Sequence, residues 1–431
     1  MKRIAILAAL MAGPVQDASE VQKQAARVSE SDPTTSFDAI SRLVDLAATS
    51  KAEVEAAAAK LPAFYKEALL EELKAREKLG AKFGKEIRVS LDLKEKSVSE
   101  AITELTEASK EKVDTTWAFR DQAQPTTQVT LKLEDVTFLR ALDAICKEPK
   151  LWIYGAEEGV AVYQNGGMIH GTSIYRHFLL QVSSAEKQRR TEFGGKTKHT
   201  LTLRVSGVWD SKAGTIHGRD LRLVEAVDDK GRTLQAMPRE EGERDLYEVD
   251  ESVDNGVNVG FDGELRFKLP EKDAEKIARV RGSVAFLVPV KTATLTLACK
   301  EGKPEPVSDD FVEFSIVELP GQVEQRGGFQ RFNSEEVKVR VKPKGDLEAL
   351  KKTPLAFTMK VKDQEAYRAS VYGRVVDGAL EYTLYPMMRG QQFGGGDAMN
   401  YESITIHAHR ECVERRVSFE FRDLPLKEKE K

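Results

Sequence analysis

Two histidines stand where metal chemistry would need them. His407 and His409 alternate with Thr405 and Glu411, so on a strand all four project from one face while Ile404, Ile406 and Ala408 take the other. Imidazoles at this spacing chelate zinc or copper when a third ligand converges. The sequence offers no obvious third ligand, so a solvated polar strand face is expected. A second set is rich in oxygen donors: Asp250, Asp254, Asn255, Asn258 and Asp262 fall in one loop-like stretch. Calcium takes about six to eight oxygens, but this spacing matches no EF-hand loop. Asp and Asn also favour loops for backbone reasons alone. Gly194-Gly195-Lys196-Thr197 has the ending of a phosphate-binding loop, yet Arg190 stands where that loop requires its first glycine. No G-x-S-x-G elbow, H-E-x-x-H helix or Gly-rich dinucleotide turn is present. Asp309 and Asp310 are adjacent, so on a strand they diverge. The expectation is a protein with no catalytic residue, no metal and no cofactor.

Composition sets the frame for these residues. A chain of 431 residues suggests two to four domains, and 32% charged with 41% apolar residues suits sizeable cores. The net charge of −4 argues against a general nucleic-acid binder. The basic run at residues 187–190 is offset by the acidic run at residues 240–245. Lys2-Arg3 followed by the apolar residues 4–12 has the form of an export signal, too short to span a bilayer. Residues 1–18 are therefore expected to be a signal peptide, with no membrane-spanning segment in the mature chain and a periplasmic or secreted location. No cysteine follows the apolar run, which argues against a lipoprotein. Cys146 falls on the inner face of a helix, and export would permit a Cys299–Cys412 disulfide.

Residues 19–35 are polar and poor in large apolar side chains, as in a flexible leader. Residues 36–82 turn helical. Ile40, Leu43, Val44 and Leu46 form one stripe, Val54 continues it, and Pro62 opens a further helix carrying Phe64, Leu69, Leu70 and Leu73. Such a stripe must pack helix on helix, on a neighbouring unit, or on a partner. Residues 86–164 read as a compact βαββαβ-type unit with two similar halves. Ile87, Val89, Leu91 and Leu93 alternate with Arg88, Ser90, Asp92 and Lys94, and Ser97 precedes a helix bearing Ile102 and Leu105. The pattern returns in Val129, Leu131 and Leu133, followed by a helix lined by Leu139, Leu142 and Ile145. A short strand at residues 113–117 lies between the halves, and a hairpin turning at Glu158-Gly159 closes the unit.

These two strand–helix steps, Val89-Ser90-Leu91-Asp92-Leu93 with residues 98–105 and Val129-Thr130-Leu131-Lys132-Leu133 with residues 138–145, resemble the short N-terminal (STN) domain of secretins and TonB-dependent transducers. The resemblance covers about a fifth of the chain. It implies a domain that docks protein partners of the cell envelope and catalyses nothing. The sequence departs from the family after Gln164, without the run of amphipathic strands that an outer-membrane pore requires. On the face opposite the core, Arg88, Ser90, Asp92 and Lys94 are the expected partner-binding positions.

Beyond residue 171 the chain reads as antiparallel β, in two β-sandwich-like regions at 171–320 and 321–426, with a charged tail at 427–431. Asp228-Asp229-Lys230-Gly231 marks a turn. Together with Val417-Ser418-Phe419-Glu420-Phe421, it resembles the C-terminal β regions of large exported bacterial proteins that carry no known activity. The fold class expected is α+β multidomain, and the function a partner-docking envelope protein. The competing expectation is a calcium- or carbohydrate-binding β protein, with its site in the loops at 250–263 and 389–400 beside Phe393 and Tyr401.

Overall fold

The computed structural model describes residues 19–115, 127–156, 159–163, 171–191, 197–237, 260–268, 274–299, 304–319, 336–361, 366–386 and 401–426. It is a mixed α+β protein with several antiparallel sheets. No helix among the described residues is long and apolar enough to cross a membrane.

The described residues begin with three helices. Helix α1 (Glu20–Ala26) is capped by Ser19, and α2 (Pro33–Ala58) by Asp32, which accepts from the Thr35 amide at 3.0 Å. Ser50 interrupts the regular turns of α2, and α3 (Ala63–Leu79) follows Pro62. The expected flexible leader is thus folded. Its apolar residues are few, but Val21, Gln24 and Val28 recur at helical spacing and are all buried. The stripe carrying Phe37, Ile40, Leu43, Val44, Phe64 and Leu69 shares one core with the first β lobe. Leu70, placed on that stripe by its spacing, is instead 42% exposed.

The next unit is β1 (Arg88–Ser97), α4 (Val98–Ser109), β2 (Val113–Asp114), β3 (Gln128–Thr137), α5 (Phe138–Lys147), β4 (Trp152–Ala156) and β5 (Gly159–Tyr163). β1 and β3 form a two-stranded antiparallel sheet, while β2, β5 and β4 form a second sheet in that order. Both sheets and both helices contribute to a single core that also takes in Leu179 and Val208 from the first β lobe. The two halves repeat in detail. Glu95 (φ 51°) and Asp135 (φ 48°) occupy the left-handed region at bulges in the β1–β3 pairing, each two residues before a helix cap. Those caps are Ser97 and Thr137, and Ser97 forms a reciprocal capping box with Glu100.

The remaining strands are β6 (Gly171–Tyr175), β7 (Phe178–Thr191), β8 (Thr197–Trp209), β9 (His217–Asp228), β10 (Phe261–Lys268), β11 (Lys276–Ala298), β12 (Val307–Ser308), β13 (Val312–Glu318), β14 (Val337–Pro343), β15 (Leu355–Val361), β16 (Ala366–Val376), β17 (Ala379–Pro386) and β18 (Tyr401–Pro425), with a short helix α6 (Leu347–Lys351) before β15. They make a four-stranded sheet, β10-β8-β7-β6, and a nine-stranded sheet, β12-β13-β14-β17-β16-β15-β18-β11-β9. The division expected at 320/321 does not separate the sheets. β11, from the first expected region, pairs with β18, from the second, all the way from Lys276–Pro425 to Ala298–Ser403. One half of this long ribbon, with Val280, Val284, Phe286, Val417 and Phe419, completes the first core. The other half, with Leu297, Ile404 and Ile406, completes the second, where β12 and β13 lie back against β11. The ribbon changes register between Pro289 and Ala293. Proline has no amide hydrogen to donate, and it sits just past Leu287, where the pairing with β9 ends.

The cysteines are free. Cys146 is buried on α5 as expected, and burial pushes its thiol well above the usual range. The Cys299–Cys412 disulfide is excluded by the ribbon. Cys299 donates its amide to Glu402, so about ten residues of β18, roughly 30 Å, separate the two thiols, and a disulfide tolerates about 7 Å between Cα atoms.

Candidate partner-docking site

The outer face of β1–β3 carries most of the expected binding positions. Val89, Leu91 and Leu93 are buried, and the alternation turns Ser90, Asp92 and Lys94 to solvent. On β3, Thr130, Lys132 and Glu134 are likewise exposed. Asp92 stands opposite Lys132 in the ladder; Lys94 pairs with Asp92 at 3.6 Å and Lys132 with Glu134 at 2.8 Å. Side chains this open, with 78% of Lys94 and 75% of Glu134 in water, hold one another by under about 1 kcal/mol. They can therefore exchange their partners for those of another surface at little cost. Among the described residues each strand has one strand neighbour. Ser90 Oγ accepts from the Asp135 amide at 2.9 Å and so holds the bulge.

Arg88 is not part of this face. Its side chain is 17% exposed and reaches Asp38 at 3.0 Å, Glu86 at 2.9 Å and the Asp135 carbonyl at 2.7 Å. The alternation places Arg88 correctly on the polar face, but α2 covers that end of the strand. Asp38 gathers Arg27 (3.0 Å) and Arg42 (3.3 Å) as well. Burial alone would raise the Asp38 carboxyl, and Arg88 and Arg42 outweigh it to hold the group below the ordinary carboxylate range. Arg140 on α5 donates to the Thr34 carbonyl at 2.9 Å, and Glu111 accepts from the Ser211 hydroxyl at 2.6 Å and its amide at 3.1 Å. On the inner side, burial pushes the Asp143 carboxyl up to about 6 despite Lys147 and Arg140 nearby. The unit is thus fixed to both the helices and the first β lobe, and its β1–β3 face is held out to solvent.

A second polar assembly, unforeseen from sequence, joins the helices to the ribbon. Arg415 on β18 makes a bidentate pair with Glu72 on α3, both bonds 3.0 Å and both side chains fully enclosed. Arg176 donates to the Ser41 carbonyl (3.0 Å) and Asp45 (3.1 Å). The Phe83 ring takes both guanidinium groups, Arg176 at 5.0 Å and Arg415 at 4.8 Å. His177 lies with Nδ1 at 2.9 Å from Asp210 and Nε2 at 3.1 Å from the Gly84 carbonyl. Gly84 is required here, because a Cβ would sit 2.0 Å from the Lys212 carbonyl oxygen. Tyr65 and Arg281 both bond Glu420 at 2.9 Å. The arginines occupy Glu72, Asp45 and Glu420 from within, which makes this a fastening between the helices and the ribbon. A faint signal was available: Tyr175-Arg176-His177-Phe178 sets an arginine and a histidine between aromatic residues at a strand-to-strand turn.

The other sequence candidates fall elsewhere. His407 Nδ1 lies 3.2 Å from Thr294 Oγ1 and its Nε2 3.4 Å from Thr358 Oγ1, while His409 Nδ1 lies 2.9 Å from Thr292 Oγ1. Both imidazoles therefore belong to a ladder of hydroxyls across β11, β18 and β15, and burial lowers the basicity of His407. Among the described residues no group of three or more His, Cys, Asp or Glu is placed to hold a metal ion. Asp262 belongs to strand β10, opposite Ser206 on β8, instead of the expected loop. Asp250, Asp254, Asn255, Asn258, Phe393 and most of the Gly194-Gly195-Lys196-Thr197 motif lie outside the described residues, as do residues 1–18 and the 427–431 tail. Tyr401 is buried at the start of β18. No family model, curated protein or solved structure matches the chain.

Proposed function

We propose that this is an exported, non-enzymatic scaffold protein of the cell envelope that docks a protein partner through the β1–β3 face of its STN-like unit. The observation carrying this reading is a two-stranded sheet, anchored on its inner side by an apolar core and at one end by Arg88, whose outer face presents Ser90, Asp92, Lys94, Lys132 and Glu134 to solvent and whose strands have no further strand neighbour among the described residues. Sheets of this kind receive partners by strand addition, with the alternate side chains setting specificity. The export pattern at residues 1–18 supports an envelope location, periplasmic or secreted, and the reading requires no cofactor.

The test is capture from an envelope extract, comparing the natural chain with a D92K/K94E/K132E variant. The reading expects one protein to be recovered by the natural chain and lost with the variant, while thermal unfolding stays unchanged. Equal recovery by both chains would place docking elsewhere.

A further inference from the structure

We propose that the middle of the β11–β18 ribbon is a hinge on which the second lobe turns against the rest of the molecule, with Lys82 as its latch. The flanking strands leave the ribbon bare at this point. β9 pairs with β11 as far as Leu287, and β15 joins β18 only at Ala408, with one further bond from the His409 amide to the Pro354 carbonyl. Both limits fall within continuously described chain, at residues 197–237 and 336–361. Between them, residues 289–291 of β11 and 411–413 of β18 have only each other as strand neighbours among the described residues. None of these six side chains is buried, so neither core reaches the waist of the ribbon.

The ladder is also interrupted there. Pro289 stands opposite Cys412, Lys291 opposite Glu411 and Ala293 opposite Ala408, which places one extra residue in β11 and then one in β18. Bulges bend a strand and break its run of hydrogen bonds, and Pro289 has no amide hydrogen to give. A two-stranded ribbon without a packed face is marginal on its own. Few buried apolar contacts and a broken ladder are the conditions for local opening at low cost.

Ion pairs mark the two sides of the waist. Toward the first lobe, Glu414 meets Arg416 at 2.8 Å and Arg219 at 3.3 Å. Toward the second, Arg410 meets Asp310 at 2.7 Å and lies 5.1 Å from the centre of the Phe311 ring. The helices, the α+β unit and the first lobe are tied together by Arg88 with Asp38, Glu111 with Ser211 and Arg415 with Glu72, so they turn as one body. Lys82, in the turn after α3, belongs to that body. Its Nζ donates to the Pro289 carbonyl at 3.1 Å and to the Val290 carbonyl at 2.7 Å, at the first bulge. A cation on two consecutive carbonyls fixes the direction in which the ribbon leaves the first lobe. A few strand residues that absorb a change of backbone angle are the usual form of a hinge. The proposal does not depend on docking at the β1–β3 face.

The experiment combines hydrogen exchange with pulsed electron resonance on the full chain. In the natural chain the amides of residues 290–291 and 411–413 should exchange faster than those of 279–287 and 417–422. K82A should accelerate the waist amides by about tenfold and leave the flanking ones unchanged, whereas K82R should behave as the natural chain. Genetically encoded spin labels at Glu67 on α3 and Lys342 on β14 span the hinge, and labels at Glu67 and Arg222 on β9 stay on one side of it. K82A should broaden the distance distribution of the first pair and not of the second. Waist amides as slow as their flanks in the natural chain, an unchanged first pair in K82A, equal broadening of both pairs, or K82R matching K82A would each overturn the proposal.

Discussion

The α+β unit and the helix–ribbon junction solve the same problem, attaching one element to another, by opposite means. The unit buries apolar side chains such as Leu93, Leu105, Phe138 and Leu142 and turns most of its charge outward. The junction buries the charge itself, joining Glu72 to Arg415 and Tyr65 to Glu420 across more than three hundred residues of sequence. An apolar core tolerates modest changes of volume, whereas a buried pair fails when either member is removed, because the survivor is left charged and unpartnered. The first arrangement suits a module that displays a surface. The second suits a joint that must assemble in only one way.

Breaking the joint should have the largest effect. Arg415→Ala leaves Glu72 enclosed without its bidentate partner and should cost about 3–5 kcal/mol, read as a fall in the denaturant midpoint of the first lobe. The double replacement R415M/E72L removes both charges and should recover most of that loss. If the single and double variants lose the same stability, the pair matters for its packing and not for its charge.

Acidity separates two carboxylates within the unit's own mounting. Asp143, with a folded value near 6 against an ordinary 3.8, favours the folded state most when protonated. Its contribution is complete below pH 3.8 and is lost as pH rises through 6, so Asp143→Asn should raise stability at pH 7 by about 1–3 kcal/mol and change little at pH 4. Asp38 has the opposite sign. Its folded value lies below 3.8, so its stabilisation is present above pH 3.8 and is lost as pH falls through the lower folded value. Asp38→Asn should therefore destabilise at pH 7, with the difference from the natural chain shrinking as pH falls below 3.8, which pH-dependent unfolding of the two variants would show. The smallest structural effect belongs to D92K/K94E/K132E, expected within about 0.5 kcal/mol because those charges already lie in water.

What could be read from the sequence follows the same divide. The β1–α4 and β3–α5 steps, the cap at Ser97 and the turn at Asp228 rest on local spacing, and local spacing is what a sequence displays. Asp228 accepts from the amides of Lys230 and Arg232 as such a turn requires, and Gly231 takes a positive φ. The long strands were concealed because Pro289 and the register change beside it divide each into two shorter patterns. Their pairing across 276–298 and 401–425 involves partners no window of sequence brings together. Glu72, Arg176 and Arg415 were missed because charged residues on a helix or strand ordinarily mark a solvated face. Arg88 was assigned to the docking surface for that reason, and its ion pairs with Asp38 and Glu86 show why alternation fixes the face of a residue but not its exposure.

The most direct measurement places a photo-crosslinking side chain at Asp92 and, as a control, at Lys342 on β14 of the second lobe, each in the full chain exposed to envelope extract. A single adduct formed from position 92 and absent from position 342 is the predicted result. Adducts of the same mass from both positions, or from position 342 alone, would contradict docking at the β1–β3 face.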